Sequence, residues 1–270
     1  MVMLCHDLNK AELPIFAADA NSEWIAEIKF DGDRIVMKAT KDSIVLKNRR
    51  GDLVTDIYPE FWDIKGDWVL DGEMCVMNSN GVSEFNEGIT HRSHCKDMVK
   101  IREAMKGYPV TFVVFDILEY AGEDMKDKSW VERRSLLEQI WNDKLKHNNM
   151  VLSEYNTNII EMWQKAVDRK EEGIILKRRD SVYTDSRSRT WLKVKDVKEI
   201  DLKFTKLEQH NKGITIETDY GIRVTVNGER SKQVQRLINE NGSANVTIRH
   251  LGETKAHRFR QPTYLKIVDE

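Results

Sequence analysis

Lys193 and Lys195 stand two residues apart in Trp191-Leu192-Lys193-Val194-Lys195. On a strand this spacing puts both ammonium groups on one face and Leu192 and Val194 on the other. Two lysines side by side repel each other unless an anion lies between them, and a phosphate supplies that charge. The plainer alternative is a solvated basic edge strand. Far upstream, Glu27-Ile28-Lys29-Phe30-Asp31-Gly32-Asp33-Arg34 also alternates. Ala26, Ile28 and Phe30 take one face of a half-buried strand, and Glu27, Lys29 and Asp31 share the other. A lysine between two carboxylates, followed at once by a glycine turn and an arginine, is an odd composition for a strand. Taken alone it reads as a surface salt-bridge ladder.

The spacing Lys29-x-Asp31-Gly32-x-Arg34 resembles the nucleophile motif of the covalent nucleotidyltransferases: ATP-dependent DNA ligases, RNA ligases and messenger-RNA capping guanylyltransferases. The resemblance implies that the Lys29 amine attacks the α-phosphate of a nucleotide and holds it as a phosphoramidate, with Glu27, Ile28 and Arg34 in the nucleotide site. Such a lysine must lose its proton, which cationic neighbours and a metal ion favour. The triphosphate and the departing pyrophosphate need cations and a divalent ion around them. The purine needs a stacking surface and a few polar groups for its edge.

Further blocks follow in the family's order. Asn48-Arg49-Arg50-Gly51 resembles a motif whose arginine contacts ribose or phosphate, and Arg49 fits that register better than Arg50. Asp71-Gly72-Glu73 resembles a strand whose glutamate contacts the ribose and helps place the metal. Phe115-Asp116 ends an apolar strand, and Phe115 resembles the adenine-stacking residue; its alternative is core packing, the role given to Phe112. Glu172-Gly173-Ile174-Ile175 resembles the motif whose glutamate serves the metal, and the strand with Lys193 and Lys195 resembles the one closing the site. The connection Glu132-Arg133-Arg134 with Leu136-Leu137, and the approach Tyr183, Arg187, Ser188 and Trp191, are similar to those of ATP-dependent DNA ligases, above all the small ligases of bacteria and viruses. Phe85 to Arg92 resembles, more loosely, a segment ending in a basic residue near DNA.

After Lys195 the pattern changes to short strands: Leu202 to Leu207, Ile214 to Thr218, Ile222 to Val226, Ala244 to Leu251 and Tyr264 to Val268. Ser231 is placed as the cap of a helix through about Asn239. Five strands and one helix fit a small oligonucleotide-binding (OB) barrel. Arg258-Phe259-Arg260-Gln261-Pro262 resembles the ligase motif that reaches the ATP phosphates, with Arg260 in the matching position. The family's ending, Arg-x-Asp-Lys, is degraded to Lys266-Ile267-Val268-Asp269-Glu270, where Lys266 can replace the first arginine. The expected architecture is therefore α+β: an ATP-grasp-like nucleotidyltransferase (adenylation) domain with antiparallel sheets over 1–197, then an OB-fold domain over 198–270.

Composition agrees. The chain has 270 residues, 40% hydrophobic and 33% charged, with a net charge of −2. That sum is unusual for a DNA binder, but local distribution decides. Arg178, Arg179, Arg187 and Arg189, with the neighbouring lysines, form a dense basic stretch suited to a phosphate backbone; with Arg50 and Arg92 they are the expected DNA contacts. No apolar run approaches a membrane span, and the start lacks a leader pattern. Three scattered cysteines without a Cys-x-x-Cys spacing argue against a zinc site or a disulfide framework, and free thiols suit the cytoplasm. The nucleophile stands close to the start, which implies a grip on DNA by two domains only or with a partner protein. The expectation is a monomeric ATP-dependent DNA ligase acting on nicked double-stranded DNA, with ATP and Mg²⁺ (Mn²⁺ can substitute). An RNA ligase or capping-type enzyme remains open, since the pocket residues do not settle adenine against guanine. A silent nucleic-acid binder is disfavoured, because binding alone does not need Lys29, Glu73, Glu172, Lys193 and Lys195 together.

Overall fold

Period-two alternation runs through most of the apolar segments, and strands form there. The computed structural model describes residues 2–17, 23–253 and 258–268. The chain divides after Lys195 into two units, Met1–Lys195 and Asp196–Glu270. In chain order the first unit carries β1 (Leu4–Asp7), β2 (Trp24–Ile28), β3 (Asp33–Ala39), β4 (Ile44–Asn48), β5 (Trp68–Val76), β6 (Val110–Tyr120), β7 (Glu123–Asp124), β8 (Met150–Leu152), β9 (Tyr155–Asn156), β10 (Gly173–Arg178) and β11 (Arg187–Lys195). Its helices are α1 (Leu13–Ala17), α2 (Thr90–Ser93), α3 (Met98–Gly107), α4 (Trp130–Ile140) and α5 (Ile159–Arg169).

These strands build two sheets, one ordered β1-β11-β10-β2-β9 and the other β4-β3-β5-β6-β7 with β8 on β6. Pairing is antiparallel except for β1 with β11 and β6 with β8. The first unit is thus mixed α and β with largely antiparallel sheets, as its sequence implies. The register between β5 and β6 shifts twice, at Val69/Leu70 and Asp71/Gly72, leaving Leu118 and Phe115 without cross-strand partners. Each bulge resets the alternation. Phe112, Val114 and Ile117 enter one core with Ile35, Leu70 and Met74. Phe115 turns the other way, with Leu118, and packs near Met3, Tyr183 and Trp191. The helix α5 lays Ile159, Met162 and Ala166 against Ala26, Ile174 and Leu176 of β2 and β10, the pairing expected of one apolar helical stripe. Ser129 and Glu132 cap α4 reciprocally.

The second unit carries β12 (Lys198–Phe204), β13 (Lys206–His210), β14 (Gly213–Glu217), β15 (Arg223–Asn227), α6 (Glu229–Asn241), β16 (Ala244–His250) and β17 (Thr263–Ile267). They form two three-stranded sheets, β12-β16-β17 and β13-β14-β15, around Phe204, Ile214, Ile216, Val224, Val234, Val246 and Ile248. The single strand expected over Leu202 to Leu207 is two strands meeting at Thr205, so one run serves both sheets. Thr205 donates its N–H to the Glu217 carbonyl at 3.1 Å. The helix begins before Ser231, whose hydroxyl donates back to the Gly228 carbonyl at 2.6 Å and so does not cap it. Of the degraded terminal motif, Asp269 and Glu270 lie outside the described residues.

Candidate active site

Lys29 stands just past β2, and its N–H donates to the Gly173 carbonyl at 2.9 Å, setting the residue beside β10. Two glycines permit that approach. A Cβ on Gly32 would collide with the Met74 carbonyl of β5, and one on Gly173 with the Val194 carbonyl of β11; Gly173 also has φ +147°, where side chains are strained. The result joins three strands at one carboxylate. Glu172, buried, pairs with Lys29, and its other oxygen takes Lys195 Nζ at 2.7 Å. Lys193 pairs instead with Asp7 of β1 at 3.1 Å.

Burial alone would lower the Lys29 pKa, but Glu172, Glu73 and Asp31 outweigh it and hold the ammonium above its usual value. The amine is therefore protonated here, and not neutral as a nucleophile would have to be. Burial likewise would raise Glu172, yet Lys29 and Lys195 pull it below the ordinary carboxylate range, so Glu172 is a poor base. Glu73 is the opposite case: burial pushes its carboxyl up to about 7 against the pull of Arg34 and Lys29. Among the described residues no group of three His, Cys, Asp or Glu side chains is placed to hold a metal by itself. Glu73 and Glu172 are hard oxygen donors and fit Mg²⁺, which takes one or two carboxylates plus substrate phosphates and waters.

Beneath this cluster lies a second one. Glu27, two residues before Lys29, is buried and receives Lys177 Nζ at 2.7 Å and the Ser153 hydroxyl at 2.9 Å. The same Lys177 nitrogen reaches the Phe115 carbonyl at 3.3 Å and lies 4.7 Å and 4.4 Å from the Phe115 and Trp191 ring centroids. Arg34 makes a two-pronged pair with buried Asp71, 2.6 Å on each arm. Its guanidinium sits 4.4 Å from the Phe115 centroid. Tyr183 donates its hydroxyl to Asp71 at 2.6 Å and accepts the Met3 N–H at 3.0 Å. Asp116 is clasped by Arg133 of α4 at 2.7 and 2.8 Å, which anchors the strand at the Phe115 bulge. Asp71 and Ser153 are residues that sequence reasoning missed, and Lys177, expected in the basic stretch facing a phosphate backbone, is instead buried on Glu27. The available signal for Lys177 was parity: with Ile174 and Leu176 in the core, Ile175 and Lys177 face the other way.

The structure thus gathers Lys29, Glu172 and Lys195 directly, places Glu73 and Arg34 in their electrostatic field, and sets Glu27 and Phe115 around Lys177. Ile28 is a core residue beside them. Arg49 and Arg50 are exposed on the turn after β4 and line a separate cavity of about 320 Å³ with Lys47 and Lys126. Arg178 is tied to Asp180 at 2.7 Å and Arg187 to the Cys5 carbonyl, while Arg179 and Arg189 are exposed. Arg92 corrects an expectation. It is fully buried, forked onto Glu60 at 2.5 and 3.0 Å and onto the Ile57 and Tyr108 carbonyls; none of its donors faces solvent, so none can reach DNA. In the second unit, Arg260 exchanges backbone hydrogen bonds with Leu251 and Gly252, and Lys266 is exposed on β17.

A sequence profile of the ATP-dependent DNA ligase domain matches residues 2–195. This chain belongs to that family. Over 200 residues it is 30% identical to a DNA ligase of Thermococcus onnurineus, covering 71% of this chain and 35% of that protein. Over 178 residues it is 30% identical to the SPbeta prophage-derived DNA ligase-like protein LigB of Bacillus subtilis, covering 64% and 62%. The chain therefore spans between about a third and under two-thirds of the length of these curated relatives. A solved structure of Lig E DNA ligases shares the fold, with a TM-score of 0.70 at 17% identity over 99% of this chain and 100% of that one. The Lys29 cluster falls within the matched ligase domain.

Proposed function

We propose that this ligase-family chain seals nicks in duplex DNA through a lysyl-AMP intermediate on Lys29, using ATP. The observation that carries the reading is the shared carboxylate: Glu172 holds Lys29 and Lys195 together beside Glu73. In the first step the Lys29 nitrogen attacks the α-phosphorus, an N–P bond forms, the bond to pyrophosphate breaks, and the amine gives up its proton. In the second a 5′-phosphate oxygen displaces Lys29 and takes the AMP. In the third a 3′-hydroxyl attacks that 5′-phosphate and AMP leaves. Lys195 and Lys193 face charge that persists on the α-phosphate throughout. Mg²⁺, held by Glu73 and Glu172, would neutralise phosphate charge and favour the neutral amine.

Glu27 and Phe115 serve the base, and Arg34 and Arg49 the ribose or phosphate. Arg50, Arg178, Arg179, Arg187 and Arg189 serve the DNA backbone. We read the second unit as an OB-type barrel, on its two three-stranded sheets and single helix. Arg260 and Lys266 there are assigned to the leaving phosphates, so Arg260→Ala should slow self-adenylylation and spare sealing of a pre-adenylylated nick. The test is incubation with labelled ATP or GTP and Mg²⁺, then transfer to nicked DNA or nicked RNA. One acid-labile AMP on Lys29 and transfer to DNA is the expected result. Preference for GTP, or transfer to RNA alone, would replace this reading with a capping-type or RNA-joining one.

A further inference from the structure

Arg92 leaves a question open: what the α2–α3 segment presents once its one buried arginine is spent internally. On either side of Arg92, His91, His94, Lys96, Lys100, Arg102 and Lys106 are exposed. The segment's own carboxylates are Asp97 and Glu103, and Asp97 caps α3, accepting the Val99 and Lys100 N–H groups at 2.9 and 3.3 Å. A cavity of about 540 Å³ opens here, lined by His91, His94, Lys96, Asp97 and Lys100. In a chain whose net charge is −2, this is a concentrated positive surface.

The surface is also rigidly mounted at the catalytic end of the sheet. Arg92 clamps α2 to Glu60, Ile57 and Tyr108. His91 stacks on Tyr108, with centroids 4.4 Å apart and planes 10° apart. Ser93 bonds Asp33, which also lies beside His94. Asp33 opens β3, four residues after Lys29, and pairs with Met74, the residue after Glu73. A phosphate backbone seated on His94, Lys96 and Lys100 would therefore run beside the nucleophile's loop. We infer that the His94–Lys96–Lys100 surface is a DNA-phosphate contact of this chain, with Arg92 as its buried anchor. The inference rests on the ligase reading and adds a specific site to it.

The test compares Lys96→Ala/Lys100→Ala with Lys144→Ala/Lys146→Ala, an equal loss of charge at exposed lysines elsewhere. Binding of a fluorescent nicked duplex is measured by anisotropy between 50 and 200 mM KCl, together with self-adenylylation, which needs no DNA. Each lost phosphate contact lowers the salt slope by about 0.9. The first variant should bind at least ~10-fold more weakly at 100 mM salt, with a slope shallower by about 1.8. Self-adenylylation should stay within about twofold of the parent. Equal slopes in the two double variants, or in the Lys96/Lys100 variant and the parent, would overturn the proposal. A parent that binds the duplex but never accepts AMP would count against the ligase reading instead, leaving the salt-slope result to decide the surface.

Discussion

Two lysine–carboxylate assemblies share strands β2 and β10, and they differ in access. In the deep one, Lys177 and Glu27 side chains are 2% and 3% exposed. In the outer one, Lys29 and Lys195 are 21% and 26% exposed around a Glu172 that is 2% exposed. The deep pair is exclusive, while Glu172 serves two cations at once. A buried carboxylate with two partners can lose one without being stranded, so an incoming phosphate can exchange with it at Lys29 and Lys195. The deep pair has no such freedom, since separating it would leave a bare charge in the interior. Similar chemistry on the same two strands thus gives one movable assembly and one fixed one.

The largest test of this contrast is Lys29→Ala. Self-adenylylation should fall by at least ~1000-fold, because no other amine occupies that position. Thermal stability should move by no more than about 2 °C, since Glu172 keeps Lys195. A large fall in Tm would mean that the outer cluster is as structural as the deep one. Next is Lys177→Met, which leaves Glu27 buried with only Ser153. Breaking a buried pair from one side costs about 3–5 kcal/mol, readable by denaturant unfolding. Adding Glu27→Gln should restore part of that loss. A cost below about 1 kcal/mol, or no recovery in the double variant, would remove the distinction between the two assemblies.

That Lys177 had to be found in the structure shows where the sequence stops being legible. The outer cluster was readable because its residues sit in short motifs that resemble the ligase family's: Lys29-x-Asp31-Gly32, Glu172-Gly173 and Lys193-x-Lys195. Parity along a strand is enough to put such groups on one face. Lys177 pairs with Glu27 across 150 positions, and nothing local announces that. Phe115 was legible as a pocket residue only through its resemblance: alternation sets it opposite Phe112 without saying what that face meets, and the bulges reverse the parity of Ile117 and Leu118 beyond it. Arg92 failed for the opposite reason. A loose resemblance over Phe85 to Arg92 set it near DNA, and only the fold reveals that Glu60 and two carbonyls close around it. In the second unit the strand periods were legible, but not the break at Thr205, where one apolar run passes between two sheets.

Glu172→Gln sharpens the comparison from the catalytic side. The substitution should slow self-adenylylation at saturating ATP by about 100-fold, the scale of one lost electrostatic contact at a charged transition state. Glu172 is also the leading carboxylate holding Lys29 protonated. The variant's residual rate should therefore reach its plateau at lower pH than the parent's. An unshifted profile would show that Glu172 orders the site without setting the state of the amine.

Glu73 offers a further effect, read on stability in the absence of nucleotide and metal. Burial pushes its carboxyl up to about 7 in the folded protein, against ~4.3 in an unfolded chain. The folded state therefore binds the proton more tightly, and stability from this group is present at low pH and lost as pH rises through about 7. Glu73→Gln cannot titrate. Relative to the parent it should gain about 5 °C or more in Tm between pH 5 and pH 8, measured without nucleotide or metal. A constant difference across that range would show that Glu73 is solvated like any surface carboxylate.

The smallest expected effect lies at the rim, where Lys193 pairs with Asp7. Asp7 is 76% exposed and its partner 25%, so the pair belongs with surface ion pairs worth about 0–1 kcal/mol. Asp7→Asn should leave unfolding free energy within about 0.5 kcal/mol of the parent. It also removes the carboxylate that pairs with Lys193 among the described residues; Lys193 lies beside Lys195 on the same face of β11. The KM for ATP in self-adenylylation should then fall by about 2- to 3-fold at low salt, with the maximal rate unchanged. The difference should fade as added salt screens the rim. The comparison breaks if Asp7→Asn instead lowers the maximal rate by tenfold or more. Asp7 would then act on the reacting phosphate, and the movable assembly would extend from Glu172 onto β1.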